Sequence, residues 1–328
     1  LGSGAIKTRG GNIAIYGQTA PTGTNSIDHP GTTDQQDSGI YTVYGSSYGV
    51  PSLDSGTGTI LMHGRNVATD TLQYPNEGLY LNGITLTSAA TSGNAITPIG
   101  DSSGMTSGSL HRGAGVTMVG WTNQPVSVTA TGGGNIVVEG KSVGGSSYAY
   151  NLGVRVVSAG SSTLIKTTGG GNISITGTAN DALANQAVGF ESANDTINSS
   201  GNLTITGYGG KPILLSGPVT VTGTTTLETN GTAANITATN ASNDFSGAVS
   251  VASGQDVSLK DSNALLLGAS TVSGNLTVQS GALTESGALT VTGTTSITAG
   301  SGNNITLTNA SNNFTGAVSV ASGNNVSL

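Results

Sequence analysis

The residues that could carry catalysis or bind a metal are few and widely separated in the sequence. The chain of 328 residues has sixteen acidic residues, nine lysines and arginines, three histidines and no cysteine. Cleavage of a glycosidic bond needs two carboxyl groups that converge on it. The segment HPGTTDQQDS groups His29, Asp34 and Asp37, and we expect it to be a solvated loop. His63 and His111 stand apart from it and are not expected to be ligands. The sequence therefore predicts no catalytic residue, no metal site and no bound cofactor.

Aromatic side chains are the more informative group. All nine Tyr and the single Trp lie at or before residue 208. Exposed rings can stack on sugars or anchor a protein contact. We therefore expect any surface recognition to lie in this part of the chain, on eight aromatic residues: Tyr41, Tyr44, Tyr48, Tyr74, Tyr80, Trp121, Tyr148 and Tyr150. The alternative is that these rings pack loops onto the body of the protein.

The composition argues against two classes of function. Net charge is −7 and the nine basic residues are spread along the chain, so no basic cluster can neutralise phosphates and we expect no nucleic-acid partner. No apolar run approaches the roughly 20 residues that a membrane-spanning helix needs. The absence of Cys favours a large exported bacterial chain. Because the sequence begins without Met or a signal peptide and stops inside a repeat, we expect it to be part of a longer protein.

A short cassette recurs in the first two thirds of the chain. A β-branched residue is followed by two or three Gly (one in the last copy), Asn, and alternating apolar residues that end at another Gly. The copies are IKTRGGNIAIYG, VTATGGGNIVVEG, IKTTGGGNISITG and INSSGNLTITG, which begin at Ile6, Val128, Ile165 and Ile197. The alternation predicts a strand with one buried face. The Gly-Asn segment predicts a tight corner, because these residues tolerate positive φ.

A longer repeat occupies the last part of the chain. Residues 235–259 match residues 304–328 at 20 of 25 positions, with an offset of 69. The repeat contains several short strand patterns and no helix pattern. We expect its copies to stack along an axis, so that matching Asn, Thr and Ser side chains form ladders.

These patterns predict an all-β protein, a right-handed parallel β-helix (β-solenoid) of degenerate Gly/Asn/Thr-rich repeats. An array of antiparallel β-sandwiches is the alternative, but Asn-Gly hairpin signals are scarce. We divide the solenoid into residues 1–208, a section with Tyr-bearing loops, and residues 209–328, a regular stalk of 69–70-residue repeats.

The strings GGGNISITG, NASNDFSGAVSVASGQDVSL, ALLLGASTVSGNLTVQSGALT and SGALTVTGTTSITAG resemble the filamentous-haemagglutinin-like large exoproteins of Gram-negative bacteria. The resemblance extends over essentially the whole chain and is clearest from about residue 128. It implies a secreted β-helix at the cell surface, moved across the outer membrane by a partner β-barrel. It also implies a role in adhesion, biofilm matrix or extracellular filaments. The secretion domain of that family has no counterpart here.

We therefore expect a non-enzymatic structural or adhesive segment. Its partner would be a receptor on a host cell, a glycan or a neighbouring cell, and self-association into fibres is a further possibility. The alternative is a polysaccharide-binding or polysaccharide-cleaving β-helix of the depolymerase or tailspike kind, which converging carboxylates would favour. The calcium-binding nonapeptide of other solenoids is absent from the sequence, and Thr-x-Thr strings are too irregular in spacing for an ice-binding face.

Overall fold

The computed structural model describes residues 4–18, 38–42, 50–67, 77–103, 113–142, 152–179, 186–230 and 234–328. Every regular element in these ranges is a β-strand. Among them no helix is present that is long and apolar enough to cross a membrane.

The described ranges contain 34 strands. The first seventeen are β1 (Ala5–Lys7), β2 (Ile13–Gln18), β3 (Ile40–Tyr41), β4 (Ser52–Asp54), β5 (Ile60–Arg65), β6 (Leu79–Asn82), β7 (Thr85–Ser88), β8 (Asn94–Asp101), β9 (Val116–Trp121), β10 (Val126–Ala130), β11 (Asn135–Ser142), β12 (Val154–Ala159), β13 (Thr163–Thr167), β14 (Ile173–Ala179), β15 (Val188–Phe190), β16 (Asp195–Ser199) and β17 (Leu203–Tyr208). The others are β18 (Ile213–Leu215), β19 (Val219–Val221), β20 (Thr225–Asn230), β21 (Ile236–Ala238), β22 (Asp244–Phe245), β23 (Val249–Ser253), β24 (Val257–Lys260), β25 (Leu265–Leu267), β26 (Ser270–Val272), β27 (Leu276–Gln279), β28 (Leu283–Glu285), β29 (Leu289–Val291), β30 (Thr295–Thr298), β31 (Ile305–Thr306), β32 (Asn313–Phe314), β33 (Val318–Ser322) and β34 (Val326–Ser327).

Three strands make one coil, and coils stack in parallel. Up to β21, each strand pairs with the strand three positions later, which gives sheet A from β1, sheet B from β2 and sheet C from β3. Sheet A ends at β22, and β23 of sheet B pairs with β25, two positions later. From β25 onward the coil runs through sheet B, a new sheet D (β26, β29, β32) and sheet C. The recorded pairings between these strands are parallel, including β11 with β14 and β12 with β15. The predicted parallel β-helix is therefore confirmed, and the β-sandwich alternative is wrong.

The core consists of columns of similar aliphatic side chains along the axis. In sheet B, Ile60 pairs with Ile96, which pairs with Ile136, then Ile173 and Leu203. All five side chains are buried, and each contributes roughly 1.5–3 kcal/mol by leaving water. Alternation within each strand therefore produces one continuous core.

Asparagine side chains tie successive coils together just before the strands. Asn135 Oδ1 accepts the backbone N–H of Asn172 at 3.0 Å, and Asn172 Oδ1 accepts that of Asn202 at 2.7 Å. A second ladder of this kind precedes sheet C and joins Asn235, Asp256, Asn275 and Thr294. The Asn of the sequence cassette thus satisfies a backbone donor at the corner, where the sheet ladder does not.

The copies of the long repeat stack along the axis, but their matching residues do not lie above one another, which corrects the expectation that these residues form ladders. Ile236 lies in β21 of sheet C, whereas its counterpart Ile305 lies in β31 of sheet B. These strands are ten apart and a coil has three, so one repeat covers three coils and one further strand. Matching residues consequently lie on different sides of the solenoid. The ladders that do form join positions one coil apart.

Coils shorten along the chain. Val116 pairs with Val154 of the next coil, whereas Val257 pairs with Leu276, so that the later coil needs only half the length of chain. Most of the additional length of the early coils lies between sheet B and sheet C, in segments outside the described residues: 19–37, 68–76, 104–112, 143–151 and 180–185. The division of the chain at residue 208 into two functional parts stays a prediction.

Glycines allow close backbone contact at this B–C corner. A Cβ on Gly140 would lie 1.9 Å from the carbonyl oxygen of Gly153, and a Cβ on Gly100 would lie 1.9 Å from that of Gly115. Such distances are far inside van der Waals contact, so only Gly fits. The corner is therefore tight, and the outer faces of sheets B and C begin next to each other.

We expect Thr225→Val to stabilise the protein. Thr225 is fully buried in an aliphatic column between Leu203 and Val249, and its hydroxyl has no hydrogen-bond partner among the described residues. Replacing that hydroxyl by a methyl group removes an unpaired buried polar atom, a gain of about 1–2 kcal/mol. The midpoint of thermal unfolding, followed by circular dichroism, should rise.

Thr229→Val is the matched control. Thr229 is equally buried, but its hydroxyl donates to the carbonyl oxygens of Ala234 at 3.3 Å and Ser253 at 3.2 Å. Its substitution should lower the midpoint. Equal effects of the two substitutions would contradict this account of the core.

Candidate functional site

The outer face of sheet C brings together residues that are far apart in the sequence. Tyr41 of β3 pairs with Tyr80 of β6, Tyr80 with Thr117 of β9, and Thr117 with Arg155 of β12. These positions alternate with core residues, so their side chains point away from the core. We call this surface, together with Glu77, Asn82, Trp121 and Glu191, the sheet C face.

Three of the predicted recognition residues meet on the sheet C face. The rings of Tyr41 and Tyr80 stack, with centroids 4.8 Å apart and planes inclined by 21°. Trp121 ends β9 on the same face and is 48% exposed. Offset ring pairs of this kind are stabilising and fix the orientation of both rings. The face therefore presents one large exposed ring, that of Trp121, next to the stacked pair of Tyr41 and Tyr80.

Tyr80 itself is buried, which corrects the prediction that its ring is exposed for recognition. It is 8% exposed, and Thr117 next to it is fully buried. The residues of β6, and those of β9 before Trp121, are therefore buried on both faces of the sheet. Burial, reinforced by the nearby Glu77 carboxylate, raises the pKa of the Tyr80 hydroxyl. Tyr80 supports the face, while Trp121 is the side chain that a partner can reach.

A buried carboxyl group lies beneath these rings. Glu77 is 2% exposed, and its oxygens accept hydrogen bonds at 3.4 Å from the hydroxyls of Ser38 and Thr117. Burial raises its pKa from 4.5 to about 7, although a backbone N–H, the charge of Arg155 and the two hydroxyls act in the opposite direction. Near neutral pH this group therefore exchanges a proton with solvent.

An ion pair and an open hydrogen-bond acceptor complete the face. Arg155 Nε and Nη2 donate to Glu191 Oε2 at 3.1 and 2.9 Å, and both side chains are mostly buried. Asn82 is 8% exposed, and its Oδ1 atom has no hydrogen-bond partner among the described residues. A buried acceptor without a partner is costly unless water or a ligand donates to it. Asn82 Oδ1 can therefore accept a hydrogen bond from water or a ligand at this face.

The other predicted residues divide into two groups. Five recognition tyrosines lie outside the described residues, namely Tyr44, Tyr48, Tyr74, Tyr148 and Tyr150. The polar segment with His29, Asp34 and Asp37 also lies there, as does His111. Within the described ranges, no group of three or more His, Asp or Glu residues could hold a metal ion.

Sequence reasoning missed two carboxylates that the fold brings together. Asp101 and Glu139 belong to different coils, yet both line a groove on the outer face of sheet B, which also includes His63 and Lys141. A signal was available, because ITPIGD and IVVEGK share a glycine at the same point of the strand pattern. That glycine pairs across the coils as Gly100 with Gly140. Aligning the two strings on it would have placed Asp101 beside Lys141.

The raised pKa of Glu77 predicts a pH-dependent stability. Because the folded state binds this proton more tightly than the unfolded chain, the stabilisation is complete below pH 4.5 and is lost as pH rises through 7. At pH 8 the free energy of unfolding is about 3 kcal/mol lower than it would be if the group at position 77 stayed neutral. Glu77→Gln should therefore unfold at a higher temperature than the natural chain at pH 8 and at a similar temperature at pH 4.

The comparison between the natural chain and Glu77→Gln needs a control substitution of another Glu, because Glu77 is not the only group that makes stability depend on pH. Burial also raises the pKa of Asp195 and Asp261. Their contribution has the same sign and remains in both proteins. Glu139→Gln, at an exposed position, should retain the pH dependence of the natural chain. If the difference in unfolding temperature between the natural chain and Glu77→Gln is the same at pH 4 and pH 8, Glu77 is not the source of the pH dependence.

Comparison with known proteins gives one family. Residues 182–252 and 254–321 match a family model described as repeats of unknown function (DUF5649). The two stretches together make up less than half of the chain. Each contains about three coils, so the family repeat has the length of the long repeat in this sequence. No curated protein and no solved structure matches the chain.

Proposed function

We propose that this chain is a structural and adhesive segment of a secreted bacterial surface exoprotein, acting in cell-surface adhesion, biofilm matrix or extracellular filaments. The resemblance to filamentous-haemagglutinin-like exoproteins supports the bacterial origin, the extracellular location and an outer-membrane secretion partner. The match to repeats of unknown function is compatible with a repetitive architectural role. The chain would not be an enzyme in this role.

The observation that carries the proposal is the continuity of the ladders beside a localised aromatic face. Sheet C runs through eleven strands, which at about 4.8 Å per step gives a rod of about 50 Å. The sheet C face occupies the first four of these strands and residues that flank the first five. The later coils are short, and their outward positions carry mainly Thr, Ser and Ala. This is the arrangement expected of a stiff spacer that holds a recognition surface at one end.

The chemistry of the sheet C face fits a partner with both apolar and polar groups. Trp121 offers an exposed ring, and Asn82 offers an unpaired acceptor one coil away. A receptor protein or glycan on a host cell or a neighbouring bacterium can satisfy both. Self-association of two such faces into fibres would use the same groups.

Bead attachment tests the proposal. Beads that carry the full chain should attach to cultured epithelial cells or to biofilm-forming bacteria more than beads that carry albumin. Trp121→Ala should reduce attachment about tenfold, because exposed Trp residues are frequent energetic centres of contacts. Because Trp121 is half-exposed, this substitution should leave the fold intact, which circular dichroism can verify.

Lys166→Ala is the control, since Lys166 lies on the outer side of sheet A. It should attach like the natural chain. Attachment no better than albumin, or equal attachment of the Trp121→Ala beads, would refute the adhesive role.

A second candidate function is cleavage of a polysaccharide, and one observation favours it. Asp101 and Glu139 line the same groove of sheet B, where two carboxyl groups are the minimum that glycoside hydrolysis requires. Incubation of the chain with neutral and acidic polysaccharides should then release new reducing ends. Asp101→Asn and Glu139→Gln should each abolish that release, and no release from any polysaccharide would exclude this function.

A further inference from the structure

We infer that the outer face of sheet B binds a linear, uncharged glycan that lies along the solenoid axis, with about one sugar unit per coil. The inference rests on the proposed adhesive function, because it names a ligand class through which the rod would attach. It concerns a different surface from the sheet C face.

The site is a groove that crosses four successive coils. It has a volume of about 260 Å³ and is formed by outward residues of β5, β8, β11 and β14. Its principal side chains are His63, Ile99, Asp101, Glu139, Lys141 and Thr176. The groove therefore runs across the strands and parallel to the axis, so that a ligand in it meets one coil after another.

The charges in the groove balance. Arg65, Asp101 and Lys141 face outward on successive strands of sheet B, where each pairs with the next. With Glu139 added, two positive and two negative charges stand around the groove. Neighbouring opposite charges cancel each other's field, while the groups remain hydrogen-bond donors and acceptors. This arrangement favours a ligand rich in hydroxyl groups and without net charge.

Exposed tyrosines lie near the two ends of this groove. Tyr16 of β2 is 68% exposed and lies beside His63, with ring centroids 6.2 Å apart. Tyr208 of β17 is 37% exposed at the other end. From β2 to β17 the sheet makes five steps, which is about 24 Å. Aromatic faces stack on the C–H faces of sugar rings, so two rings in these places can hold both ends of a short glycan.

The spacing of the coils matches such a ligand. Each coil adds about 4.8 Å, which is close to the length of one pyranose unit in an extended chain. Donors and acceptors therefore recur at the interval at which sugar hydroxyls recur. A bound peptide strand has no equivalent here, because the backbone groups of these central strands already pair within sheet B and are not open at an edge.

Titration calorimetry of the full chain with neutral hexasaccharides tests the inference. Cellohexaose, xylohexaose and mannohexaose are the probes, and at least one should bind more tightly than its own di- and trisaccharide. Hexagalacturonate and a glucosamine hexamer, which carry charge, should bind more weakly than the best neutral probe. Binding of no neutral probe, binding independent of length, or preference for a charged probe would each overturn the inference.

Substitutions locate the site. Tyr16→Ala and Tyr208→Ala should each weaken the binding of the best probe about fivefold, and Lys141→Ala should weaken it as well. Tyr16→Phe keeps the ring and should bind like the natural chain. Lys166→Ala, the same change on sheet A, should also leave binding unaltered. Binding that survives the tyrosine and lysine substitutions would place the glycan elsewhere.

The outcomes remain separable from those of the bead experiment. If beads attach and no neutral probe binds, the adhesive role stands and this site is refuted. If a neutral probe binds and beads do not attach, the site stands and adhesion to cells is refuted.

Discussion

Hydrogen bonding between successive coils is the interaction on which every other feature of this protein depends. The backbone groups of a short strand point along the axis, and no strand pair within one coil can satisfy them. Ile136 N–H donates to Asn172 O, and Ile173 N–H donates to Asn202 O, both at 2.9 Å. The ladder therefore decides which side chain lies above which. The environment of a residue is set by the position one coil away more than by its neighbours in the chain.

This constraint explains why both outer faces are assembled from distant parts of the sequence. Tyr41 and Tyr80 belong to different coils but stack because their strands are adjacent in sheet C. Asp101 and Lys141 are likewise distant along the chain but stand side by side in sheet B. Glycines at the B–C corner bring these two sheets close together, so the two faces begin on either side of one edge.

Much of the fold could be predicted from local chemistry. Alternation in GGGNISITG predicts that Ile173 and Ile175 face inward, and both are buried. The Asn before each strand was expected at a corner, and Asn172 does lie at one, where it links two coils. Such features depend on residues within one strand or one turn, whose conformational preferences can be predicted from the local sequence.

Features that depend on register between coils were not predictable in the same way. The loops between sheets B and C differ in length, so Asp101 and Glu139 fall into one groove only once the coils are aligned. The alternation of residues along β6 places Tyr80 on the outer side of its sheet, but it does not reveal that the ring is buried there. The alignment of matching residues in the two copies of the long repeat was predicted wrongly, because equal spacing in sequence does not mean a whole number of turns.

The ten-strand length of the long repeat has a consequence for any array built from such copies. Ten strands make three coils and one further strand, so in an array of three-strand coils each copy would be rotated by one face relative to the preceding one, and the same face would return only after three copies, which is ten coils or about 48 Å. Identical surface groups therefore wind around the rod as a screw and do not form a straight stripe. Such a rod presents each motif in several radial directions. Neighbouring rods then have no continuous complementary surface along which they could associate side by side.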